Sequence, residues 1–271
     1  MEMRTLALQA LQQADPSTKV AQTRMLHAQW LAGALTLDTQ AELLSDTTLP
    51  GRPALPRLVP QQQVARRSPF TIAGRAALLH AVAHIEFNAI NLALDACWRF
   101  AGLPPAFYAD WLQVAAEEAL HHRLLVEHLA TLGHVYGDFD AHDGLWAMTE
   151  RTASDPIARM ALVPRTLEAR GLDATPPMQE RLRRAGDQRA VDILGVILRD
   201  EVGHVATGNR WYRWLCAREG LCPLSHYAVL ARRHGAPVLR GPFNTEARLM
   251  AGFTQAEMDA LVQSDAERAS S

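Results

Sequence analysis

Leu198–Tyr212 reads LRDEVGHVATGNRWY. Inside a mostly apolar helical pattern it carries Glu201 and His204, three positions apart. On an α-helix that spacing sets two side chains about 60° and one turn apart, so a carboxylate and an imidazole can reach one ion. A single pair of this kind arises by chance in many helices, so its weight depends on whether the chain holds matching pieces.

It holds three. AAEEALHHRLL places Glu118 and His121 at the same spacing, while AHIEFNAI and RTLEARG each place one carboxylate, Glu86 and Glu168, among apolar neighbours. The order is Glu, Glu-x-x-His, Glu, Glu-x-x-His, with 32 residues from Glu86 to Glu118 and 33 from Glu168 to Glu201. Glu86, Glu118, His121, Glu168, Glu201 and His204 thus match the ligand set of di-iron and di-manganese carboxylate centres in helical bundles. Hard carboxylate oxygens can bridge two cations, and one imidazole per metal leaves positions open for O2 or a substrate. The mix suits iron(II) or manganese, so two Fe ions are expected, with Mn or a mixed Fe/Mn pair as alternatives. Acids one position earlier, Glu117 and Asp200, predict crossed support, with Asp200 holding His121 and Glu117 holding His204.

The surrounding pattern is all-α, with no strand-period alternation. Helices are predicted over about 5–13 and 17–34, separated by DPSTK, which supplies a break and an N-cap. LPGRPALPRLVPQQQVARRSP follows, and its five prolines predict an extended, wrapping connection. Long helices are expected over about 71–101 and 105–132. A third, over about 155–170, is bent at Pro164, and GLDATPP is read as a loop. A fourth covers about 177–218 with a discontinuity near Gly186. A tail follows with short helices near 223–234 and 254–264 around the loop GAPVLRGPFN. The expected organisation is an N-terminal arm over 1–70, a four-helix bundle holding the di-metal site over 71–219, and a C-terminal extension over 220–271.

Composition bounds the function. The 271 residues are 48% hydrophobic, and 27 basic against 29 acidic side chains leave a formal charge of −2. That is a globular chain with no overall basic field for nucleic acid. Cys97, Cys216 and Cys222 are too few and too scattered for a disulfide framework or a Cys-rich zinc site. No signal peptide and no membrane-spanning run of about 20 apolar residues is read, so a cytoplasmic location is expected.

Several segments resemble the ferritin-like superfamily of di-iron carboxylate proteins, and more narrowly a bacterial ferritin-like family catalogued as a domain of unknown function. They are GRPALPRLV, GRAALLHAVAHIEFNAINLALDACWRF, EEALHHRLL, TLEARGLDATP, RDEVGHVATGNRWY and FNTEARLMAGF, and together they span about residues 15–265. The resemblance implies a ferritin-like four-helix bundle, and the six ligand positions carry over one by one. A more distant ferritin-like relative hydroxylates a modified adenosine in tRNA, which makes a tRNA-modifying hydroxylase one alternative.

Other residues are read more plainly. His84 lies about 160° round its helix from Glu86 and faces away. His122 is expected at the rim or in solvent, and Trp211, Tyr212 and Trp214 in packing. In the tail, Arg232, Arg240 and Arg248 are candidates to hold an anionic substrate group, since a guanidinium pairs bidentately with carboxylate or phosphate. The proline-rich stretch and the 235–243 loop are expected to pack on the bundle and form a pocket leading to the metals. The leading expectation is an O2-dependent oxidase or monooxygenase of a small or nucleotide-like molecule, an oxidoreductase served by a separate electron donor and forming a small oligomer. Iron storage or peroxide detoxification of ferritin type is the alternative. Its cage assembly would be obstructed by the roughly 70 residues before the bundle and 50 after it.

Overall fold

A computed structural model describes residues 1–65 and 67–269. Among these residues all regular structure is helical, and the only β pairing is two isolated bridges, Glu2 with Thr36 and Leu58 with Ala141. The chain divides into two compact units, Met1–Trp146 with Arg184–Ile193, and Ala147–Arg183 with Leu194–Ser271.

The first unit is built from α1 (Met3–Gln12), α2 (Pro16–Leu31), α3 (Ile72–Arg99) and α4 (Pro105–Thr131). Side-chain caps start three of them: Glu2 accepts from the Arg4 and Thr5 amides, Asp15 from Thr18, and Thr71 from Gly74. The helix α3 lies along α4, with α1 packed on α3 and α2 on α4. Two buried cations tie these pieces together. Arg4, fully buried, donates to the Cys97 and Trp98 carbonyls in the last turn of α3 and to those of Asp38 and Ala41. A cation there complements the carbonyl end of the helix. Lys19 Nζ donates to Leu11 O at 3.2 Å, Gly51 O at 2.9 Å and Asn91 Oδ1 at 2.5 Å, so three N–H bonds meet three acceptors.

The proline-rich stretch is extended and packed, as expected. Val59 donates to Ala141 O and Ala141 to Arg57 O, while Arg52 and Arg57 pair with Asp143 and Asp140. Gly51 lies so close to the end of α1 that a Cβ would stand 2.0 Å from Gln12 O. One expectation needs correction: α3 is long and apolar enough, by length and composition, to cross a membrane. It is mostly buried, however, and carries His80, His84, Glu86 and Asp95, so its apolarity is that of a core helix.

Along the chain α4 is followed by α5 (Gly144–Arg151). In the second unit, α6 (Pro156–Leu162) runs into a π-helical segment, Val163–Glu168, and on into α7 (Ala169–Arg184). The bend expected at Pro164 thus takes the form of a π turn, and the Thr166 hydroxyl takes up the Ala161 carbonyl at 2.8 Å. Residues 171–177, predicted as a loop, are helical despite Pro176 and Pro177. Pro176 has no N–H for the carbonyl four residues back, Leu172 O, and Asn244 Nδ2 donates to that oxygen instead at 3.1 Å. The expected break is found at Gly186, φ +76°, after which Asp187 caps α8 (Gln188–Arg218) through Ala190 N.

The tail forms α9 (Pro223–Arg233), α10 (Thr245–Met250), which the sequence did not predict, and α11 (Gln255–Ala269). Ala169 and Leu172 of α7, Val205 of α8, Ala247 of α10 and Met258 of α11 share one apolar cluster with Ala251 and Phe253. Buried charges bind the tail to the same helices: Arg165 to Glu257 at 2.8 Å, and Arg248 to Asp173 at 2.6 Å.

Candidate metal centre

In the first unit, α3 and α4 bring Glu86, Glu118 and His121 together. All three are buried, and their ligand atoms lie within 4.8 Å of one another. His121 Nδ1 stands 3.1 Å from Glu86 Oε2 and 3.3 Å from Glu118 Oε2. With metal–ligand bonds near 2.1 Å, neighbouring ligands on one ion sit roughly 3 Å apart, so this is the spacing of a shared coordination shell. Burial, and then the negative charge of Glu118, push the Glu86 carboxyl well above the usual range, against the pull of His121. Two carboxyl groups this close in a dry site hold a proton unless a cation takes its place. A divalent cation would do so and let both bind as carboxylates, so the donor set fits a metal.

In the second unit, Glu201 and His204 of α8 are buried side by side, His204 Nδ1 lying 3.7 Å from Glu201 Oε1. The same ring nitrogen thus faces the carboxylate in both Glu-x-x-His pairs. Glu168, also buried, ends the π segment. Gly208 of α8 lets that segment come close, since a Cβ there would meet Pro164 Cβ and Cγ at 2.6 Å.

Of the acids one position earlier, Glu117 accepts from Gln113 Nε2 at 2.6 Å, and Asp200 pairs with its neighbour Arg199 at 2.9 Å. His84 faces away from Glu86 as expected, bonded to Tyr136 and Asn88. His122 is a correction: it is 4% exposed, not at the rim, because the 134–139 loop covers that face of α4 and brings Tyr136 edge-on to its ring. Tyr212 is buried, whereas Trp214 is 37% exposed. Among the tail arginines, Arg232 and Arg240 are exposed, and Arg248 is fully buried between the rings of Phe243 and Phe253.

The proline-rich stretch does line a pocket, with Arg52, Pro53, Pro56, His84, Asn88 and Tyr136 around it. It opens on the face of α3 turned away from Glu86, so it does not serve as the mouth expected for the metals. Sequence reasoning missed Asn88 and Asn91 here. The signal was present, as polar residues at 84, 88 and 91 form one stripe on an otherwise apolar helix.

No solved structure matches the chain. A protein of Haemophilus influenzae (strain ATCC 51907 / DSM 11121 / KW20 / Rd), described as "Uncharacterized protein", is 47% identical over 259 residues, which cover 92% of this chain and 90% of that one. The family described as "Protein of unknown function (DUF455)" matches residues 12–259, nearly the whole length, and the chain belongs to that family.

Proposed function

We propose that this chain is a di-metal carboxylate protein of ferritin-like type, acting as an O2-dependent oxidase or oxygenase on a small or nucleotide-like molecule. The observation that carries the reading is the buried Glu86–Glu118–His121 cluster, whose two close carboxyl groups and imidazole suit a divalent cation. In the proposal Glu201 would join these three on one ion, and Glu168 and His204 would hold the second. Bound iron or manganese would supply redox chemistry toward O2.

The chain's own residues have three tasks. The Glu and His donors hold and space the ions. Their burial keeps bulk water from them. Asp200 holds the Nε2 proton of His121, and Glu117 that of His204, so that each Nδ1 is presented as a lone pair. Exposed Arg232 and Arg240 offer guanidinium groups to an anionic part of the substrate. A separate protein or the substrate itself supplies electrons, and the protein works in the cytoplasm as a small oligomer.

Anaerobic loading with iron(II), metal analysis and then exposure to O2 test this. The expected result is two irons per chain and a new near-ultraviolet absorption on oxidation. One iron or fewer per chain after loading would overturn the dinuclear reading. Two irons that stay optically unchanged in O2 would overturn the oxidase reading and leave only metal binding.

A further inference from the structure

The pocket on the far side of α3 has a chemistry of its own. His84, Asn88 and Asn91 lie about 140–160° round the helix from Glu86, so the pocket and the Glu/His cluster occupy opposite faces. The cavity measures about 30 Å³ and is partly open to the outside. A water needs roughly 10–15 Å³ on this scale, so it admits a group the size of a carboxylate.

Its hydrogen bonds fix which groups face inward as donors. Asn88 Nδ2 lies 3.2 Å from His84 O, so it is the amide nitrogen. The same nitrogen donates to His84 Nε2 at 3.0 Å, which makes Nε2 the acceptor and puts the ring proton on Nδ1. Nδ1 then donates to Tyr136 Oη at 2.9 Å, and the phenol proton is left to be given elsewhere. Asn91, 1% exposed, has its Oδ1 occupied by Lys19, while its Nδ2 has no partner. Arg52 borders the same space, held by Asp143 at 2.6 Å. Arg52 and Tyr136 therefore border the cavity as donors, and the Asn91 amide nitrogen lies buried beside it.

Arg52 brings the formal charge to the pocket lining, and its partner Asp143 is not among the lining residues. Burial pushes the Tyr136 phenol up, which keeps it a donor. The ring of Phe87, which Lys19 Nζ approaches to 4.9 Å, lines the same space with Pro53 and Pro56 and can take a hydrocarbon body.

We propose that this pocket binds a small organic monocarboxylate, its oxygens taken by Arg52 and Tyr136 and its apolar part by Phe87, Pro53 and Pro56. This site does not depend on the metal centre.

Calorimetric titration of the full-length chain with butyrate tests the proposal, with butyramide and inorganic phosphate as comparison probes. Butyrate should bind saturably, and butyramide at least ten-fold more weakly, since a hydrogen bond to a charged acceptor is the stronger kind. Tyr136→Phe, which keeps the ring, should weaken butyrate about ten-fold. Arg52→Lys, which keeps the charge and a partner for Asp143 but loses the fork, should weaken it as well. Glu118→Ala should leave it unchanged. The proposal is overturned by no binding of butyrate, by equal binding of butyramide, or by phosphate binding more tightly than butyrate. It is also overturned if Glu118→Ala abolishes binding while Tyr136→Phe does not, because the carboxylate would then sit at the Glu/His cluster.

Discussion

The two halves of the Glu, Glu-x-x-His repeat are built differently. In the first unit Glu86, Glu118 and His121 project from two long uninterrupted helices packed along each other. In the second, Glu168 ends a π segment that begins at Pro164 and leads into a helix containing two more prolines. Regular helices hold their own backbone bonds, whereas an irregular one needs partners from elsewhere. The tail supplies them within the second unit. Arg248 donates to Ala169 O, Asn244 to Leu172 O, and Arg165, inside the π segment, pairs with Glu257. The C-terminal residues thus brace the backbone that carries Glu168. The comparison teaches that a donor order can repeat while the scaffolds beneath it differ, one self-sufficient and the other held from outside.

The largest expected effect falls on the self-sufficient half. Glu118→Ala should remove essentially all tightly bound metal, because it deletes a buried carboxylate that shares His121 with Glu86. His84→Ala, on the opposite face of α3, should retain it. Metal analysis of both purified variants decides the matter, and equal loss in the two would break the assignment of faces.

Much of this was legible because helical spacing is a short-range rule. Three or four positions in sequence fix a shared face, so both Glu-x-x-His pairs, the outward turn of His84 and the break at Gly186 could be read directly. What escaped depends on distant partners. The 171–177 helix survives because of Asn244, some seventy positions away, and the buried place of His122 depends on a loop folding over α4. Pro164 predicted a bend, but the π form rests on contacts that no local window contains. Arg52 and Tyr136 meet across a chain separation that carries no pattern.

Lys19→Met probes what the first unit needs besides its two long helices. The ammonium joins α1, the proline-rich stretch and α3, and its loss leaves three acceptors without their donor. A loss of about 3 kcal/mol is expected by denaturant unfolding near neutral pH. Burial, and then the charge of Arg52, draw the Lys19 pKa down to about 7. A base with a lowered folded pKa binds fewer protons than the unfolded chain between about 7 and its ordinary value. Wild-type stability relative to Lys19→Met should therefore rise as pH increases through that window. A difference that falls with pH would contradict the shift.

Gly208→Ala turns to the braced half. A Cβ 2.6 Å from the Pro164 ring must push the π segment or α8 aside, and overpacking of this kind costs about 1–3 kcal/mol. In the proposed centre it should also lower the metal content, because the displaced segment carries Glu168. A stable Gly208→Ala protein with full metal content would show that the close approach is not needed.

The smallest effect sharpens the comparison most. Asn244→Ala removes two bonds, the cap on Ala247 N at 3.2 Å and the donation to Leu172 O at 3.1 Å, and should cost about 1–2 kcal/mol. The first of these is an ordinary helix cap. The second exists because Pro176 has no N–H to give. Pro176→Ala restores that N–H and lets α7 close its own bond to Leu172 O. Asn244→Ala should then cost less in the Pro176→Ala background than in the wild type, by about 0.5–1 kcal/mol in a double-mutant cycle. Additive costs would mean that Asn244 serves only as a cap. In that case the tail would not replace what proline removes, and it would brace the irregular helix through Arg248 and the Arg165–Glu257 pair instead.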